Sequence, residues 1–121
     1  MDKAELQDRF KQFALRIIKL VDSMPNTLAS TTLARQIIRS GTSPYANYSA
    51  ACLAKSEKDF LNKLKMVEEE LDETKRWLEL IVESNIMPKD RMLYLINENK
   101  ELVSIITKAI VTMRNKINGT L

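Results

Sequence analysis

The segment from Ser56 to Ile81, SEKDFLNKLKMVEEELDETKRWLELI, decides the fold of this chain. Phe60, Leu64, Val67, Leu71, Thr74, Leu78 and Ile81 recur at alternating spacings of four and three, the interval at which side chains return to one face of an α-helix. Most intervening positions carry Glu, Asp, Lys or Arg, so one stripe avoids water while the rest seeks it. Ser56 opens the segment as an N-cap, and Asp59 stands where a capping box has Glu or Gln. Such a helix cannot bury its stripe alone, so the flanking sequence must supply partners.

Upstream, Leu6, Phe10, Phe13, Ile17, Leu20 and Met24 form the seam of a first helix, which Asp22-Ser23-Met24-Pro25-Asn26 ends. Thr27 is placed to cap a second helix, whose seam runs through Leu33, Ile37, Ser40, Pro44, Asn47, Ala51 and Ala54 and is unusually small and polar. Downstream, Glu83-Ser84-Asn85 closes the third helix, with Asn85 suited to a left-handed cap. Pro88 fits the first turn of a fourth helix, expected from about Lys89 to about Lys116 with a seam through Leu95, Leu102, Ile106, Ala109 and Met113. Arg114 and Lys116 in its last turn complement the helix dipole. Four rods of roughly 20 to 30 residues are roughly 30–45 Å long at 1.5 Å rise per residue, and short connections make consecutive rods antiparallel. The expected architecture is all-α, an up-down-up-down four-helix bundle, with residues 1–121 forming a single domain. A kink is expected in the second helix near Pro44, which lacks an amide hydrogen and crowds the carbonyl of Ser40.

Composition narrows the chemistry. The 121 residues contain no histidine, one cysteine and two glycines. Ser-His and Cys-His nucleophile pairs are therefore impossible, and the Glu-x-x-His element of di-metal carboxylate bundles is missing. Neither catalytic residues, nor a metal site, nor a cofactor is expected. Glu68-Glu69-Glu70-x-Asp72-Glu73 is the one acidic cluster; consecutive helical residues fan around the axis, so it reads as a solvated face or as a partner for basic residues. Cys52 reads as a small buried hydrophobe. The start of the chain lacks the basic-then-apolar pattern of a secretory signal, and no apolar run approaches the roughly 18 residues of a spanning helix, so a cytoplasmic protein is expected.

Apolar residues outnumber the seam positions. Leu93, Tyr94, Ile96, Val103, Ile105, Ile110 and Val111 flank the seam of the fourth helix, Leu61, Trp77 and Leu80 that of the third, and Ile38, Tyr45 and Tyr48 that of the second. So wide an arc points to a second contact surface between copies, a homo-oligomer; the other reading is a wide core whose edges are covered by snorkelling side chains.

The second helix holds a local departure from this pattern. Ser40, Ser43 and Asn47 fall on nearly the same face, with Gly41 and Pro44 between them. Close packing plus a buried polar register lock at Asn47 explains this structural polar motif; the other reading is a ligand site on the same three residues. The run Arg39-Ser40-Gly41-Thr42-Ser43-x-x-Ala46-Asn47-Tyr48, with Gln36 before it and Ser56-x-x-Asp59-Phe60-x-x-Lys63-Leu64 and Glu73-Thr74-x-x-Trp77-Leu78 after it, resembles the bacterial "four helix bundle protein" family. These are also called 23S rRNA intervening-sequence proteins, because some are encoded in insertions within 23S rRNA genes. The resemblance implies a bundle that assembles into a ring-like pentamer, and a fold related to the accessory protein of diversity-generating retroelements, for which nucleic-acid binding is suggested. Asn47-Tyr48-Ser49-Ala50 lacks the glutamate usual in the family's Asn-Tyr-x-Glu-Ala, and Pro44 replaces a small or β-branched residue. Any role of that glutamate does not carry over.

Charge supplies the functional candidate. Residues 1–42 carry 7 basic and 4 acidic groups, 43–85 carry 6 and 9, and 86–121 carry 6 and 3. Arg9, Arg16 and Lys19 lie along one edge of the first helix, and Arg35 and Arg39 form an i, i+4 pair on the second. If those edges adjoin, five cations form one patch able to follow the phosphates of RNA or DNA. The alternative is a protein–protein scaffold, in which these cations keep the protein soluble or pair with the acidic third helix. An enzyme is the third and weakest reading.

Overall fold

The computed structural model describes residues 1–119. Its elements are α1 (Lys3–Ser23), α2 (Leu28–Cys52), α3 (Glu57–Glu83) and α4 (Lys89–Ile117), with no strand among the described residues. Each helix packs on its chain neighbours and α4 returns to α1, closing a four-membered ring in which α1 and α4 share the least contact. The pairings are antiparallel. Phe10 meets Tyr48 while Ile17 lies against Gly41, and Glu57 pairs with Lys116 while Leu71 meets Asn99.

Local chemistry sets the ends. Asp2, Thr27 and Ser56 cap the first three helices by accepting hydrogen bonds from the amides of Glu5, Ser30 and Asp59. Asp59 does not complete a capping box: its carboxylate accepts from Lys63 and from the Lys55 amide instead, and the Lys63 bond in particular lowers its pKa. At the end of α3, Asn85 takes the left-handed conformation (φ 61°), with the Ile86 amide bonded to the Ile81 carbonyl and the Asn85 amide to that of Val82. This is the Schellman arrangement, which satisfies carbonyls that the helix end would orphan. Pro88 is the residue before α4 rather than part of its first turn.

The core follows most of the expected seam positions, with Met24, Leu33 and Ala54 half-buried at its margins. Phe60 is half-buried and its neighbour Leu61 takes the interior position; Asn47 is half-buried and Tyr48 is inside. On α4, Ala109 and Met113 are half-buried while Met92 and Ile110 join Leu95, Leu102 and Ile106 in the core. The buried asparagine is Asn99, whose amide donates to the Leu71 carbonyl across the α3–α4 interface at 3.1 Å. Asn47 instead donates to Ser43 on its own helix at 2.9 Å.

The small residues of α2 permit close approach on two sides. A Cβ on Gly41 would lie 2.7 Å from Cγ1 of the fully buried Ile17, so α1 and α2 are as near there as only glycine permits. On the α3 side, the buried hydroxyls of Ser40 and Thr74 are hydrogen-bonded at 2.9 Å, and Thr74 also reaches the Glu70 carbonyl at 2.8 Å. Pro44 lies buried within α2, which remains helical from Leu28 to Cys52.

Replacing Gly41 with Ala gains about 1 kcal/mol of helix propensity but overpacks the contact at about 1–3 kcal/mol. Net destabilisation is expected in denaturant titration. Combined with Ile17→Ala, which removes all the crowded atoms, the double variant should be more stable than the sum of the singles. Thr74→Val strands the Ser40 hydroxyl and should cost about 1–3 kcal/mol, with Ser40→Ala in the same chain recovering part of it.

Candidate nucleic-acid interface

The five cations singled out from the sequence do not form one patch. Arg9 turns toward α4, where its guanidinium holds Glu98 in a bidentate pair and also reaches Glu101 at 2.8 Å. The Glu98 hydrogen bond is the main reason the Arg9 proton is held more tightly than usual, against the cost of partial burial. Arg39 turns the other way and bridges Glu70 and Glu73 of α3. Two of the five are thus neutralised within the chain, and the acidic cluster of α3 is spent on Arg39, on Thr107 and on Arg76 rather than on a metal. Among the described residues no group of His, Cys, Asp and Glu could hold a metal ion.

Arg35 lies at the α1–α2 end of the bundle, in a shallow groove with Val21, Asp22 and Pro25. Arg16 and Lys19 remain along the exposed edge of α1. Neither has a carboxylate within ion-pair distance among the described residues. The Arg16 guanidinium lies over the Tyr94 ring, 4.1 Å from its centroid, a cation–π contact that holds the group against the ring without neutralising its charge. The edge of α1 therefore continues onto α4, not onto α2. Arg91 completes it, lining the same groove as Arg16, Lys19 and Tyr94. Periodicity gave no reason to select Arg91 or to read Tyr94 as more than an apolar flank, since only the α1–α4 pairing brings them beside Arg16.

The polar residues of α2 separate as well. Ser40 is buried against Thr74, whereas Ser43 and Asn47 bond to each other at half-buried positions. The Ser40 bond joins α2 to α3, whereas the Ser43–Asn47 bond stays within α2. Tyr48 is the more perturbed group nearby: burial first, and then the Cys52 thiol, push its phenol from 10.0 up to about 12. A phenol whose folded pKa is raised favours the folded state fully below pH 10, and that contribution is lost as pH rises from 10 toward 12. Unfolding measured across this window should show Tyr48→Phe losing less stability than the parent chain.

The chain matches the family model described as "23S rRNA-intervening sequence protein" over residues 2–108. It also resembles a crystal structure from Bacteroides thetaiotaomicron VPI-5482, titled as a protein with unknown function from the S23 ribosomal protein family. The two superpose with a TM-score of 0.82 at 32% identity, over 87% of this chain and 97% of that one. Comparison with curated proteins finds no match.

Proposed function

Starting from a chain that belongs to the 23S rRNA-intervening sequence protein family, we propose a non-enzymatic, cytoplasmic, single-domain bundle that assembles with copies of itself and binds RNA or DNA along the basic edge of α1. The observation that carries this reading is the division among the cations. Arg9 and Arg39 are tied to carboxylates, whereas Arg16 and Lys19 are exposed, without a carboxylate partner among the described residues, and joined by Arg91 across the groove. Unpaired cations on one edge attract a polyanion and release its counterions on contact, whereas paired ones have little left to offer.

The excess apolar surface supports self-assembly in part. Leu61, Tyr48 and Ile110 have gone into the core, and Ile96, Val103, Ile105, Trp77 and Tyr45 pack against it. Leu80, Leu93 and Val111 stay exposed, as do Leu15 and Ile18 of α1 at 47% and 40% and Ile38 of α2 at 36%. These support contact with sister copies, for which the family resemblance implies a pentamer. No helix among the described residues is long and apolar enough to cross a membrane.

Filter binding of short RNA and DNA strands across a salt series tests the reading. Affinity should fall with salt on a log–log slope of about −0.7 per phosphate neutralised. Arg16→Glu with Lys19→Glu should abolish binding without changing the mass in solution. Arg39→Glu, which meets Glu70 and Glu73, should lower stability instead. Indifference to both nucleic acids at low salt would leave a protein–protein scaffold as the better account.

A further inference from the structure

The α1–α4 seam changes character along its length. At one end Arg9 sits between Glu98 and Glu101, a cluster with two carboxylates and one cation. Toward the end of α1 the seam opens into a groove of about 350 Å³, where Arg16, Lys19 and Arg91 surround a floor that includes Leu20 and Leu95. Among the described residues neither Asp nor Glu lines it. Ser23, also at its edge, spends its hydroxyl proton on the Leu20 carbonyl, so the donors left to a ligand are the three cationic side chains and the Tyr94 phenol.

We propose that this groove is a phosphate-monoester site that holds the terminal phosphate of a nucleic-acid strand; the proposal rests on the nucleic-acid reading above. The three cations that line the groove exceed what one internal phosphodiester, with a single negative charge, would balance. A monoester carries a charge of about −1.5 to −2 at neutral pH and three acceptor oxygens. Two of the cations are arginines, whose forked N–H groups suit paired phosphate oxygens, and Arg16 is already held against Tyr94. The apolar floor suits the terminal sugar and base. Beyond the groove the cations stop and the Glu98–Glu101 cluster begins, so a strand cannot continue along the seam without meeting net negative charge. The strand ends here and leaves toward solvent.

The test compares one short single strand carrying a 5′-phosphate, a 3′-phosphate or hydroxyls at both ends, with a free nucleoside monophosphate as competitor. One phosphorylated form should bind about tenfold or more tighter than the hydroxyl-ended strand, the effect of one charge-assisted hydrogen bond. Arg91→Ala should weaken every strand, but the phosphorylated one about tenfold more, erasing that difference; Arg91 is exposed and outside every ion pair above, so the variant should fold. Equal affinity for all three strands overturns the terminal-phosphate site and leaves nucleic-acid binding standing. Failure of every strand to bind at low salt overturns the underlying reading as well. A free monophosphate that binds as tightly as the phosphorylated strand overturns the assignment to a strand end.

Discussion

The bundle depends on how little side chain α2 places between its neighbours. Gly41 brings α1 onto α2 at Ile17, and the Ser40–Thr74 hydroxyl pair brings α3 onto its other side. Close-packed interiors tolerate neither an added methyl nor an unpartnered hydroxyl without cost. These two contacts therefore set the register of three helices at once. α4 is placed differently, by Asn99 on the Leu71 carbonyl and by a long apolar stripe.

This asymmetry bears on where the chain can bind. On α2 the Ser40 hydroxyl is bonded to Thr74 of α3, and Ser43 and Asn47 are bonded to each other within the helix. The α1–α4 seam closes the ring with the least contact, and its edge is held by charge and stacking, Arg9 on Glu98 and Arg16 on Tyr94. A seam held by long polar side chains leaves a groove between them, and the groove opens at the end where the cations outnumber the carboxylates.

The helices were legible residue by residue. Thr27, Ser56 and Asn85 act where their side chains and backbone preferences place them, and the seams on α1 and α3 need only periodicity. The weaker reading came where two adjacent residues compete for one position. Leu61 displaces Phe60 and Tyr48 displaces Asn47, because a one-residue rotation changes which side chain fills the gap left by a neighbouring helix. The cationic patch was half legible: charge type and spacing located Arg16 and Lys19, but nothing along one helix says which neighbour its edge will face.

The sequence by itself determined four amphipathic rods, their caps, the absence of histidine chemistry and a family membership carried by the stretch from Arg39 to Tyr48. Only the tertiary structure decided which cations are spent on carboxylates, that Arg91 and Tyr94 stand beside Arg16, and that the polar centre of α2 divides between a bond to α3 and a bond within α2. The physical reason is range. Periodicity and capping act within a few residues of one helix, whereas ion pairing and groove formation depend on rotations and offsets between helices that are set by the fit of the core.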